Sequence, residues 1–390
     1  MKPIHFVLAF GVVSMFADMV YEGARAITGP YLATFGTSAA MVGFITGLGE
    51  AVALVFRIGT GRLSDRTHRY WALSISGYAI TVIAVPLIAL SQTFWQAAGL
   101  IVTERFGKAV RTPARDTMLA QAGTNLGRGW TFAVHEALDQ VGAIIGPLIV
   151  AFMIALSGYR AAFAILAVPG LLTLLTLAWL RRAVPRPSAY GQTRVEESAP
   201  TTVGLGALPR RFWLYAAFTA SSMLGFATFA VLAYHQEVTR VIQPALIPIT
   251  FALAMATDAL AALVSGRLYD RIGLSGLIIA LPLTALVPVL SFSLTPTLVW
   301  IGAAVWGAIM GIHESTMRAA VADLIPESIR GTGYGVFTAI YGLAWLTGST
   351  VVGALYNQSV GAVSVFVIAT QLLALAPFII LLRDVRKPNA

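Results

Sequence analysis

Asp18, Glu22 and Arg25 stand four and three residues apart. On a helix that spacing puts all three on one face. A carboxylate taken out of water gains proton affinity, and a nearby cation lowers it again. Two acids beside one arginine can therefore exchange a proton or hold a cationic compound. The competing reading is a static Glu22–Arg25 or Asp18–Arg25 pair. A second group lies in H-E-A-L-D, which brings His135, Glu136 and Asp139 within about one turn. Histidine titrates near neutral pH with little help. With His313 and Glu314, these residues also form a ligand set suited to a first-row divalent ion as cargo. Softer cations would have to rely on thioethers such as Met15, Met310 and Met317, because the chain has no cysteine. The zinc-protease pattern H-E-x-x-H needs a second histidine where Asp139 stands. An intramembrane peptidase is not expected.

The elements that must hold these residues are membrane helices. Hydrophobic residues make up 57% of the 390-residue chain and charged residues 11%, against about 25% charged in soluble domains. A soluble fold of this length would need a charged surface that the chain cannot supply. Runs of about 20 mostly apolar residues are long enough to cross a bilayer. They are expected at 4–28, 39–60, 72–92, 95–117, 129–154 and 161–181, and again at 211–234, 245–267, 274–293, 297–318, 331–356 and 361–382. The fold class expected is an all-α membrane protein of twelve spans. Its domains are a six-helix bundle over 1–182, a linker over 183–210 rich in proline, serine and glutamate, and a second bundle over 211–390. The first span reads as a retained helix, since no small-residue cleavage site follows it. It begins with an apolar run from Phe6 to Phe16, and the helix is read as ending near Gly29-Pro30.

Lysine and arginine mark the cytoplasmic side of a membrane protein. Lys2, Arg62, Arg66, Arg69, Lys108, Arg111, Arg115, Arg128, Arg267, Arg271, Arg330, Arg383, Arg386 and Lys387 all fall on the side of the termini. The opposite loops offer little beyond Arg160 and Arg240. Both termini are therefore expected in the cytoplasm, in a cell membrane. The net charge of +9 reflects this topology. Its cations are scattered over short loops, which argues against a nucleic-acid surface.

A charge at the membrane centre costs about 2.5–3.5 kcal/mol on insertion scales and faces a bundle interior or a water-filled cavity. Asp18 lies roughly 21 Å into the membrane, counting a rise of 1.5 Å per residue from Ile4. Further charges fall at Glu50, Glu104, Arg105 and Asp258, and in the His135–Asp139 and His313–Glu314 groups. Spans 3, 6, 9 and 12 have none in their interiors, so these are read as the lipid-facing helices. Spans 7 and 11 are also uncharged, giving an apolar cavity wall with aromatics such as Phe226, Trp306, Tyr341 and Trp345.

The chain also repeats itself. G-R-L-S-D-R follows span 2 and G-R-L-Y-D-R follows span 8; N-L-G-R-G-W-T-F and E-S-I-R-G-T-G-Y-G-V-F enter spans 5 and 11. A duplicated six-helix unit is common in secondary transporters. On these residues the sequence resembles the major facilitator superfamily over essentially its full length. Gly61, Asp65, Arg66 and Arg69 match the family's signature loop, with a second copy at Gly266, Asp270, Arg271 and Gly273. Gly142, Gly146 and Pro147 resemble the helix-5 motif of its proton-coupled exporters, and Arg105 resembles the helix-4 arginine motif. The run G-K-A-V-R-T-P-A-R-D resembles a subgroup of efflux permeases, some linked to nickel resistance. The resemblance implies helices 1, 4, 7 and 10 around a cavity, with helices 3, 6, 9 and 12 outside.

Asp65 and Asp270 are expected to cap a helix or pair with arginine as a two-state cytoplasmic gate. The gate would comprise Gly61, Asp65, Arg66, Arg69, Arg111, Arg115, Gly266, Asp270, Arg271 and Arg330. Arg111 and Arg115 are read as partners of Asp65. No P-loop is present, so an ion gradient must supply any energy. The function expected is proton-coupled export of a small amphipathic or cationic compound, by a transporter rather than an enzyme. Asp18, Glu22, Arg25, Glu50, Glu104, Arg105, His135, Glu136, Asp139, His313 and Glu314 are its proton or substrate groups. Divalent-metal efflux and transport of an anionic metabolite are the alternatives. The expected partners are the lipid bilayer, a small-molecule substrate and protons. No cofactor, resident metal or nucleic acid is expected, and the chain is read as a monomer.

Overall fold

The computed structural model describes residues 1–124, 126–190, 205–326 and 329–386, and the side chains of these except at Arg128, Ser188, Ala189, Leu205, Met317, Arg318 and Arg386. Much of the expected linker, with Glu196 and Glu197, lies outside the described residues. So do Lys387 and the Met317 thioether.

Among the described residues the secondary structure is helical throughout, without strands. The α-helices are α1 (Pro3–Ala33), α2 (Ala39–Thr67), α3 (Tyr70–Leu87), α4 (Phe94–Ala122), α5 (Arg128–Ile165), α6 (Ala167–Ala183) and α7 (Arg210–Leu224). They continue with α8 (Phe229–Thr239), α9 (Ile247–Ile272), α10 (Ala280–Ser291), α11 (Pro296–Leu324), α12 (Arg330–Tyr356) and α13 (Val360–Arg386). Helices are the expected answer for an apolar chain, because every backbone polar group in lipid must find its partner internally. Nine described stretches are long and apolar enough to cross a membrane. Two of them, Gly129–Ala183 and Pro244–Ser291, run to 55 and 48 residues. A single hydrocarbon core of about 30 Å takes roughly 20 helical residues, so each of these has length for two passes. Helix α4 is long enough at 29 residues, but it carries six charged side chains between Glu104 and Asp116.

Several boundaries differ from the sequence reading, among them the end of α5 at Ile165 rather than 154 and the start of α10 at Ala280 rather than 274. Helix α1 runs on through Pro30 to Ala33 instead of stopping near Gly29. Proline removes one donor without ending a membrane helix whose neighbours supply other partners. Span 7 is not continuous: it breaks over 225–228 into α7 and α8. The groups freed by the break are met from other helices. Trp306 donates its indole N–H to the Ala227 carbonyl at 2.9 Å. The Thr228 amide donates to Ser349 Oγ at 3.2 Å. Gly225 sits close against α13, where a Cβ would lie 2.6 Å from Gln371 Nε2.

The described chain forms two compact units. One contains Met1–Tyr31, Val52–Glu197 and Pro244–Ala252; the other contains Leu32–Ala51, Ser198–Gln243 and Leu253–Ala390. In the first, Phe6, Phe10, Trp71, Tyr78, Met118, Leu177 and Leu180 form a buried core. Trp71 stacks on Phe10 at 6.1 Å and donates its indole N–H to the Val184 carbonyl. In this unit Tyr190, outside the spans, packs its ring on Phe6, and its burial pushes the phenol pKa up. In the second unit, Phe218 packs on Phe378 at 4.6 Å and Tyr215 stacks on Phe337 at 5.2 Å. The N-terminal part of α2 belongs to the second unit and packs there along a glycine seam. A Cβ on Gly47 would fall 2.8 Å from Leu346 Cα of α12. Thr46 Oγ1 bonds Thr228 Oγ1 at 2.7 Å beside that seam.

Candidate functional site

Asp18, Arg111, Arg115, His135 and Asp139 of the first unit converge on the contact of α1, α4 and α5. Two glycines make that contact close. A Cβ on Gly142 would lie 3.0 Å from the Met15 carbonyl carbon, and one on Gly146 would lie 2.8 Å from Met19 Cα. Only glycine admits backbone at that distance. The helix-5 motif thus brings His135 and Asp139, on the preceding turns of α5, beside Ser14 and Asp18 of α1. Pro147 lies inside the same helix. On α4, Gly107 meets α3: a Cβ there would lie 2.8 Å from the Gly77 carbonyl oxygen.

Two acid–arginine pairs result. Arg111 Nη2 lies 3.6 Å from Asp18 Oδ1, with the arginine side chain 1% exposed. One turn on, Arg115 Nη1 lies 3.7 Å from Asp139 Oδ2, and its Nη2 lies 2.9 Å from Asp116. His135 lies beside the second pair and reaches α1. Its Nδ1 stands 3.5 Å from Asp139 Oδ2, and its Nε2 bonds Ser14 Oγ at 2.8 Å. Ser14 also bonds the Tyr78 hydroxyl at 2.8 Å. The Arg111 guanidinium lies 4.6 Å from the Tyr78 ring centroid. Two arginines, three acids, a histidine and two hydroxyls therefore share one cluster, in which Arg111, His135, Ser14 and Tyr78 are buried and Asp18, Arg115, Asp116 and Asp139 partly so.

A second cluster lies further along α1. Glu22 Oε2 and Arg25 Nη1 pair at 3.4 Å, both side chains 9% exposed. Glu104 and Arg105 approach to 3.2 Å. Arg105 donates to the Tyr21 hydroxyl and stands 4.3 Å from its ring centroid. Lys108 covers the same ring at 3.8 Å. Tyr21, Arg25, Thr28, Glu104 and Arg105 line a cavity of about 10 Å³, room for about one water molecule.

Of the static pairs considered for α1, Glu22–Arg25 forms, while Asp18 pairs with α4. Glu136 is exposed, although its carboxylate and the ligand atoms of His135 and Asp139 lie within 4.8 Å of one another. His313 is buried on α11 with Nε2 lacking a hydrogen-bond partner, and Glu314 beside it is exposed. These two belong to the second unit, as does buried Glu50.

The gate residues are arranged differently from the expectation. Gly61 meets α4 at Pro113. Asp65, Arg66 and Arg69 are exposed at the end of α2, and Asp270 and Arg271 at the end of α9. Gly266 has open space around it. Helix α3 begins after Arg69 without a side-chain cap. Arg111 and Arg115 are not partners of Asp65. Helix α4 stays regular through Ala122, and its turn carries both arginines inward to Asp18 and Asp139. Arg330 donates to the Ala322 carbonyl at 3.2 Å.

Sequence reasoning missed Ser14, Tyr21, Tyr78 and Asp116. The apolar neighbourhood of Ser14, one turn before Asp18, was the available signal. Tyr78 sits in a helix whose lack of charge suggested lipid contact; it is fully buried.

A model of the Major Facilitator Superfamily matches residues 9–349, with a further match over 242–390. The chain belongs to that family and is a multi-pass membrane transporter of the MFS type. It is 49% identical over 372 residues to the uncharacterized protein Rv2265 of Mycobacterium tuberculosis, covering 95% of this chain and 91% of the relative. It is 26% identical to the uncharacterized MFS-type transporter MJ1317 of Methanocaldococcus jannaschii, over 90% of this chain and 89% of that one. The multidrug resistance protein MdtG of Enterobacter lignolyticus matches at 27% identity over 43% of this chain and 41% of its own. Among solved structures, a bacterial homologue of the human lysosomal transporter Spinster aligns with a TM-score of 0.75 at 16% identity. That alignment covers 100% of this chain and 99% of the other. The MFS fold is thus shared at low identity.

Proposed function

We propose that this transporter couples efflux of a small amphipathic or cationic compound to the inward movement of protons. The observation that carries the reading is the double pairing Asp18–Arg111 and Asp139–Arg115 in one largely buried cluster. Each acid can be held charged by its arginine or protonated when the arginine moves away. His135 lies between the two sites: its Nδ1 stands 3.5 Å from Asp139 Oδ2 and its Nε2 bonds Ser14, whose other partner Tyr78 lies under the Arg111 guanidinium. Intramembrane acids of this kind are the usual carriers of protons in transporters. The partial likeness to MdtG supports export. The reading includes twelve spans, bundles at 1–182 and 211–390 joined by a cytoplasmic linker, both termini in the cytoplasm, and alternating access.

Everted membrane vesicles test the coupling. With an acid interior established, added ethidium should discharge the pH gradient in wild type and much less in Asp139→Asn. A gradient unaffected by ethidium and by other organic cations would count against it. A second reading, divalent-metal efflux, has its own observation: His135, Glu136 and Asp139 present ligand atoms within 4.8 Å. The neighbouring arginines oppose a cation there, and both imidazole nitrogens already have protein partners. Nickel or zinc discharging the gradient where ethidium does not would reverse the preference.

A further inference from the structure

The second unit holds a cavity that the transport reading does not use. It has a volume of about 820 Å³ and opens among the first turns of α7 and α12 and the ends of α11 and α13. Cavities of roughly 300–1,000 Å³ are the size that takes small ligands. Arg210, Arg211 and Arg330 line it, with Asp323 and Asp384. Both carboxylates are engaged. Asp384 accepts from Arg210 at 2.9 Å, and its backbone carbonyl accepts from Arg211 at 2.7 Å. Asp323 accepts the Tyr269 hydroxyl at 2.8 Å. Among the described lining residues three guanidiniums stand with two acids, a balance of one positive charge.

The backbone adds to that field. Neither α7, which begins after Pro209, nor α12, which begins after Ile329, has a side-chain cap. The N–H groups of a helix's first turn then point outward and attract anions. Leu324, Ile325 and Pro326 supply an apolar wall beside the charges. Scattered topological anchors would not need such a cavity.

We propose that this cavity binds a phosphate group, with Arg211 and Arg330 as the principal donors. Arginine is suited to phosphate because its planar fork donates two parallel hydrogen bonds. The phosphate has two sources: the headgroup of an anionic phospholipid, since basic pockets at the cytoplasmic ends of membrane helices are sites for such headgroups, or a soluble phosphate ion. The site does not depend on proton coupling, so its test and the vesicle assay fail separately.

The full-length protein in detergent is titrated with sodium phosphate against sodium chloride at equal ionic strength. In a parallel arm it is placed in nanodiscs of phosphatidylcholine with or without phosphatidylglycerol. Its melting temperature is read in each. A saturable rise of several degrees is expected in at least one arm. A rise with phosphate alone assigns a soluble anion; a rise with phosphatidylglycerol alone assigns a lipid. Arg211→Gln and Arg330→Gln should each weaken the half-saturating concentration at least tenfold. Arg211→Lys, which keeps the charge, should weaken it less. Arg240→Gln, whose arginine pairs with Glu237 at the end of α8, should not change it. No saturable rise in either arm overturns the proposal. So does a rise that survives unchanged in Arg211→Gln and Arg330→Gln, or one that Arg240→Gln abolishes equally.

Discussion

Asp18 of α1 and Arg111 of α4 form an ion pair across two helices, 3.6 Å apart, with the arginine 1% exposed. Such a pair is expensive to break from one side, because the surviving charge stays buried. Arg111→Ala should destabilise the protein by about 3–5 kcal/mol. Adding Asp18→Asn to Arg111→Gln should recover part of the loss that Arg111→Gln alone produces. Denaturant melts of the four proteins in one detergent provide the cycle. Equal, additive losses would show that the two residues do not interact.

The glycine contact between α1 and α5 predicts a contrast between two like substitutions. Gly146→Ala places a Cβ 2.8 Å from Met19 Cα and should cost about 1–3 kcal/mol through overpacking. Gly59→Ala, on a helix surface with open space around it, should be neutral or stabilise by about 0.5–1 kcal/mol. Melting temperatures measured side by side give the order. A Gly146→Ala protein as stable as wild type would remove the argument that this contact positions the site.

Much of this cluster could be read from the sequence, and the reason for the rest is physical. Asp18, His135 and Asp139 stood out because charge in an apolar run is rare. Helical spacing tells which residues share a face, but not which neighbouring helix that face meets. That is why Arg111 was assigned to Asp65 instead of Asp18. Ser14 and Tyr78 carry no charge and gave no such signal. The break between α7 and α8 was equally hidden, since Trp306 and Ser349, which satisfy it, are far away in sequence. Hydropathy reports the apolar character of the span and says nothing of a backbone that neighbours repair.

That repair can be tested at Trp306. Trp306→Phe keeps the ring that stacks on Phe226 at 5.3 Å in reduced form and removes the donor to the Ala227 carbonyl. An unsatisfied buried group of this kind costs about 1–3 kcal/mol. Hydrogen exchange should rise over 225–228 and leave α3 unchanged. Unaltered exchange at the break would mean that the indole bond does not hold it.

The hydroxyl link gives a smaller effect. Ser14→Ala removes the bonds to Tyr78 and His135 together. It should lower stability by about 1–3 kcal/mol if His135 is left without its partner. Tyr78→Phe, which leaves the Ser14–His135 bond in place, should cost less. Thermal melts of both variants check the order, and the reverse order would contradict the arrangement.

The central claim is that protons drive transport through the Asp18 and Asp139 pairs. Its most direct test uses purified protein in liposomes with an acid interior and ethidium outside. Wild type should accumulate ethidium, nigericin should abolish the accumulation, and Asp18→Asn should not respond to the gradient. Protein-dependent ethidium uptake by wild type that is indifferent to nigericin would contradict the account.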